Sequence, residues 1–394
     1  MTTGGGTGLV RRPDASNRAT LLELLFDVVF VAALALISMT IAQRDSWGAL
    51  GQSLLMLMAI WWIWSVTSVT TDFYDPEQRP IQAVLMVTML GAVGAAAALP
   101  RAAGGHALVF AVAYVAPHLV RGAILVSTLH RHRHNAQERA ARFMFWFVVS
   151  GIFWIVGALP PGQPHWPLWV AAAAIDYVSA GARYPTPWLG RVPIDQYERA
   201  TEHLGERYQQ FVILALGDII LVPTLKIGTS DFAAPRLAAF VTAFVTMLLL
   251  WQIYVYRSGQ ILQITSRRAL GQAARVAPYT HAVMLAGVVC IAGGFDRIVA
   301  EPTGETSVRS LALMFGGPTL FILGRAAFTY RVSGVVPWRR LVWLLVFPAV
   351  APWAGGWPSM LVAVTCALVL GGVVAFDVLG TRLRLPFLRP GRVG

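Results

Sequence analysis

Apolar runs of about 20 residues recur from one end of this chain to the other, separated by short stretches rich in Arg, Pro and Gly. A helix of that length matches the hydrocarbon thickness of a bilayer, and so many of them leave few folds open. The runs fall near 21–42, 49–70, 80–99, 106–129, 142–159, 165–182, 208–225, 233–256, 276–299, 307–330, 340–353 and 357–380. The eleventh is the shortest. Composition agrees: 56% of residues are hydrophobic and 13% charged, against roughly a quarter charged in soluble domains. The expectation is an all-α polytopic integral membrane protein of about twelve transmembrane helices.

A net charge of +12 would suggest nucleic acid in a soluble protein, but here the basic residues fall between the apolar runs. They serve as a topology signal, and no nucleic-acid partner is expected. Arg11, Arg12, Arg18, Arg79, Arg131, Arg133, Arg139, Arg142, Arg183, Arg191, Arg199 and Arg207 fall on one side, continuing with Arg257, Arg267, Arg268, Arg275, Arg331, Arg339, Arg340 and the C-terminal arginines. The other side holds only Arg44, Arg101, Lys226 and Arg236. By the positive-inside rule the rich side is cytoplasmic, and the even span count puts both termini there. The first run carries Glu23 and Asp27 and lacks a small-residue cleavage site, so it reads as a retained helix. Cys290 and Cys366 lie inside apolar segments, which argues against a disulfide framework or a thiolate zinc site.

The two sets of six spans carry ordered correspondences. Trp61 pairs with Trp251, Pro80 with Pro278, Pro117 with Pro318, Asp176 with Asp377, and Glu23 with Glu206. Both members of each pair enter from the same side, which suggests a 6+6 parallel internal repeat with chance matching as its rival. The resulting division is a tail (1–20), a first half (21–182), a cytoplasmic linker (183–207), a second half (208–380) and a tail (381–394).

Charged residues inside a bilayer are costly and normally face the bundle interior. Glu23 and Asp27 are one helical turn apart, so both carboxylates share a face. One of such a pair is expected to hold a proton unless a cation lies between them. The alternative is a structural ion pair with an Arg of another helix, for example Arg121 or Arg325. Asp218 lies twelve residues past Glu206, about 18 Å of helix rise, beside Gly217. Arg207 either contacts a ligand or pairs with a neighbouring acid. His281 and His118 are relay candidates or packing residues. Trp61 and Trp251 could line a wall for an apolar or cationic ligand, against ordinary packing. On the cytoplasmic side, Asp72 and Asp75 face the spacing of Asp195, Glu198, Glu202 and Glu206, which could hold Mg²⁺ and a diphosphate. Solvated loop acids balancing nearby Arg are the simpler account.

In order, Leu22-Glu23-Leu24-Leu25-Phe26-Asp27-Val28-Val29-Phe30-Val31, Trp61-Trp62-Ile63-Trp64, Thr71-Asp72 with Asp75, Met89-Leu90, His203, Glu206-Arg207, Phe211 through Gly217-Asp218, Leu250-Trp251 with Tyr254, and Tyr279-Thr280-His281 span nearly the whole chain. This series resembles the bacterial low temperature requirement protein A family. The resemblance implies a multi-pass protein of the bacterial inner membrane and leaves the reaction open. Two places depart from the family pattern: Asp218 stands where Glu is usual, and Gln209-Gln210 where Gly-Leu is common. The leading expectation is a binding or transport protein without a cofactor, in which Glu23, Asp27 and Asp218, helped by Arg121 and His281, handle a proton or a cationic ligand. The alternative is a Mg²⁺-dependent membrane enzyme acting on a lipidic substrate such as a prenyl diphosphate.

Overall fold

The computed structural model describes residues 8–11, 18–132, 134, 136–199, 202–228, 231–255 and 267–382. Among them the chain is helical throughout, without β-strands. The first six helices are α1 (Leu21–Gln43), α2 (Trp47–Phe73), α3 (Arg79–Ala98), α4 (Ala107–Arg131), α5 (Gln137–Ala158) and α6 (Trp166–Gly181). They are followed by α7 (Glu202–Leu216), α8 (Asp218–Gly228), α9 (Ala234–Val255), α10 (Arg267–Ala300), α11 (Val308–Ser333), α12 (Trp338–Trp343), α13 (Val346–Ala354) and α14 (Ser359–Arg382).

Local sequence accounts for the boundaries. Pro80 occupies the first turn of α3, where its missing N–H would have had no partner anyway. The Ser307 side chain accepts from the backbone N–H of Ser310 to cap α11, and Gly334, at φ 72°, ends that helix in the left-handed conformation. Thr20 and Glu23 form a reciprocal cap on α1: the Thr20 N–H donates to Glu23 Oε2 at 2.9 Å, and the Glu23 N–H donates to Thr20 Oγ1 at 3.3 Å.

Among the described residues, ten helical segments are long and apolar enough to cross a membrane. The sixth expected span is a helix of 16 residues, about 24 Å of rise, shorter than the roughly 30 Å hydrocarbon core. The eleventh divides into α12 and α13. Pro348 is the cause, because in a continuous helix its ring would meet the carbonyl of Leu344 and one backbone hydrogen bond would be lost. The seventh span begins at Glu202, earlier than its apolar run, and is interrupted at Gly217.

Two compact units emerge, one from Met1–Ile37, Gly51–Gln210 and Ser266–Arg275, the other from Ser38–Leu50, Phe211–Thr265 and Val276–Gly394. In the first, α3, α4, α5 and α6 pack as neighbours in chain order. A Cβ on Gly91 would lie 2.2 Å from the ring of Pro117, so α3 supplies the gap that the α4 proline fills. Phe110, Trp154 and Trp169 build an aromatic core beside it. In the second unit, α9 and α11 pack on α14, around Leu250, Phe295, Met314, Phe321 and Cys366. Gly287 and Gly317 let α10 and α11 approach backbone to backbone, since a Cβ on Gly287 would meet the Gly317 carbonyl at 2.5 Å.

The distribution of polarity is inverted relative to a soluble protein. Leu90, Val178, Val308 and Leu368 are each about 70% exposed, whereas Glu23, Asp27, Asp72, His203, Arg207 and Asp218 are buried. Such an arrangement is stable where the surrounding solvent is itself apolar.

Candidate functional site

Three helices of the first unit converge on one charged cluster. The α1 residues Glu23 and Asp27 are four apart, as are His203 and Arg207 on α7, so each pair projects from one face. His203 Nε2 lies 3.3 Å from Glu23 Oε2, and Arg207 Nη2 donates to Asp27 Oδ1 at 2.6 Å. Both contacts join residues 180 apart in sequence, so α1 and α7 run parallel and in register. Arg207 Nη1 also lies 3.1 Å from Glu23 Oε1.

The α2 helix closes the cluster through residues repeating every three or four positions. Trp64 Nε1 donates to Asp27 Oδ1 at 2.7 Å. One end of that face carries Asp72, with Oδ1 3.6 Å from His203 Nδ1. Trp61 stacks on Trp64 at 4.8 Å, and Tyr208 meets both rings edge-on while its hydroxyl lies 2.7 Å from Ser65 Oγ. The Arg207 guanidinium lies over Phe26 and Trp64, at 5.7 and 5.9 Å. The result is three carboxylates, a guanidinium and an imidazole enclosed by aromatic rings. Glu23 Oε1, Asp27 Oδ2, His203 Nδ1 and Arg207 Nε have no hydrogen-bond partner among the described residues.

The second unit holds Asp218 at the start of α8, immediately after the break at Gly217. The Ser38 hydroxyl of α1 donates to Asp218 Oδ2, and Asp218 Oδ1 has no partner among the described residues. Ser38 and Asp218 are again 180 residues apart. The same unit gathers His281, whose Nδ1 lies 3.0 Å from the Ala277 carbonyl and whose Nε2 lies 3.4 Å from the Tyr254 hydroxyl. Arg325 sits over Tyr254 at 5.5 Å and donates to Thr329 Oγ1 at 3.2 Å. Trp251 lies on an outer face of α9, 41% exposed.

The remaining expected residues are dispersed. Arg121 is buried beside His118 and Thr67, away from the acids of α1 in its hydrogen bonding. Of the acids considered for Mg²⁺, Asp72 is buried against His203, Asp75 accepts from the Glu77 N–H and from Gln78, Glu206 accepts from Gln210, and Glu202 is exposed. The Glu198 side chain falls outside what the structure describes. Among the described residues no group of three or more His, Cys, Asp and Glu side chains is placed to hold a metal ion. His203, Trp64 and Ser38 complete the acid sites without standing out as ligands in the sequence; their signal was the helical spacing to residues already singled out.

Helices apolar outside, with acids and arginines buried among them, define a multi-pass membrane protein. The chain belongs to the bacterial low temperature requirement A protein (LtrA) family, whose model matches residues 18–375. It is similar to the uncharacterized protein RA0937 of Rhizobium meliloti (strain 1021), with 30% identity over 335 residues, 82% of this chain and 80% of that one. No solved structure matches it.

Proposed function

We propose that this protein binds or transports a proton or a small cation through its intramembrane acids, from a position in the bacterial cytoplasmic membrane with both termini in the cytoplasm. The observation that carries this reading is the charge imbalance of the buried cluster. Glu23, Asp27 and Asp72 supply three carboxylates in contact with Arg207 and His203. Arg11 adds one more guanidinium at the edge, donating to the Thr71 carbonyl. Among the described residues that these contacts join, three negative charges against two permanent positive ones leave a deficit of one. A single proton, on His203 or a carboxyl, or a single monovalent cation makes the set neutral. Asp218, with only a hydroxyl donor at hand among the described residues, is likewise accompanied by a proton or a cation.

The test uses purified protein in vesicles with an entrapped pH-sensitive dye and an imposed pH gradient. Pulses of Na⁺, K⁺ or choline should drive an internal pH change that is absent with Asp27→Asn. Wild-type vesicles indistinguishable from protein-free ones for every cation would overturn the reading. Orientation has its own check: reporters fused after Arg139 and Arg191 should read cytoplasmic, and one after Gly162 external.

A further inference from the structure

We propose that the first unit contains a second, oppositely charged site: a cavity between α2, α4 and α5 that holds one small anion of halide size. Its lining includes Thr70, Phe73, Tyr74, His118, Arg121, Arg139, Met144 and Phe147. Two guanidiniums therefore face one cavity, and no carboxylate lines it. Of the acids outside the lining, Asp176 accepts from Tyr114 and Trp154 through Oδ2 and faces Arg121 electrostatically, Glu138 pairs with Arg142, and Asp75 accepts from Gln78.

Both arginines are buried, Arg121 to 3% exposure and Arg139 to 8%. Their hydrogen-bond and ring partners are neutral. Arg121 donates to Thr67 Oγ1 at 3.3 Å and lies over Phe147 at 5.2 Å. Arg139 donates to the Tyr74 hydroxyl at 3.2 Å and lies over Phe73 at 3.9 Å. Aromatic faces soften the cost of burying a cation, but two guanidiniums at one cavity, with the single carboxylate of Asp176 acting on Arg121 from outside the lining, leave a positive excess that is costly in an apolar surround.

A third donor points to the same ligand. Arg121 Nη2 contacts His118 Nδ1 at 2.5 Å. A guanidinium can only donate, so Nδ1 accepts and the imidazole proton sits on Nε2. That buried Nε2 has no partner among the described residues. An N–H without an acceptor, beside two cations, calls for an anionic acceptor. The cavity, with about 20 Å³ free, is large enough for a halide or a water.

The experiment measures thermal unfolding of the purified full-length protein in detergent at constant ionic strength, with sodium gluconate replaced stepwise by chloride or bromide. Wild type should show a saturable rise of several degrees, with no comparable rise from phosphate. Arg121→Gln and Arg139→Gln should each flatten the response. Met144→Glu, a substitution of similar length on the cavity wall, should supply the missing carboxylate, so that the variant unfolds at the same temperature in gluconate and chloride. This last variant keeps the test open if either arginine variant fails to fold. Equal wild-type stability in gluconate and halide would overturn the proposal. So would stabilisation by added phosphatidylglycerol but not by halide, or a halide response surviving in both arginine variants.

Discussion

Glu23 with Asp27, and Asp218, are buried acids served by the same helix, α1, yet their surroundings differ in kind. The first pair is tied to Arg207, His203 and the Trp64 indole. Among the described residues, Asp218 has one hydroxyl donor and an unused oxygen. A carboxylate beside a guanidinium keeps its charge without water, and removing the partner strands a buried ion. A carboxyl beside a hydroxyl has no such dependence, and its neutral amide replica fits the same hydrogen bond. The contrast teaches that burial alone does not define a functional acid: the partner decides whether the charge is held, shared or discharged.

The largest effect should follow Arg207→Met. It leaves Glu23 and Asp27 facing each other, and unfolding in detergent should show a loss of about 3–5 kcal/mol or no folded protein at all. A variant as stable as wild type would mean the acids are not ionised together, and the contrast with Asp218 would vanish. Asp27→Asn comes next. Asn still accepts from Trp64 and Arg207, so stability should fall by about 1–2 kcal/mol while cation-driven pH change is lost. Equal loss of folded protein and activity would mark a structural ion pair. Glu23→Gln retains part of the Thr20 cap and should cost about 1 kcal/mol. Asp218→Asn should be the mildest, within about 1 kcal/mol, because the Ser38 hydrogen bond survives. A stability loss matching that of Arg207→Met would place an unrecognised cation at Asp218.

The helical class and most spans were legible because apolar periodicity and length report directly on a bilayer. Two expected spans departed: the sixth came out as a helix of 16 residues and the eleventh was split at Pro348, whereas the seventh keeps its length as Glu202–Gly228 despite the interruption at Gly217. The start of α7 at Glu202 was hidden because its first two turns carry charge for a buried site. At the site, the four-residue spacing of Glu23 and Asp27 gave their common face. It did not name the partner, for which Arg121 and Arg325 were as eligible as Arg207. Spacing reports orientation about one helix axis and is silent on which helix lies alongside. Trp64, the indole that contacts Asp27, was equally indistinguishable from Trp61 by composition. Arg121 read as an aid to a cationic ligand, whereas its cavity is lined by a second cation, a fact of packing that no linear pattern encodes.

The shared separation of 180 residues has a consequence for how such a chain can change over generations. Eleven positions separate Asp27 from Ser38, and eleven separate Arg207 from Asp218. A one-residue insertion between the first two would turn everything beyond it by about 100° around the α1 axis. One contact would then be kept only by forfeiting the other. Insertions and deletions among descendants should therefore collect in the connecting loops, where the count between partners can drift freely. Within 27–38 and 207–218 a change of length should survive only when mirrored in both segments.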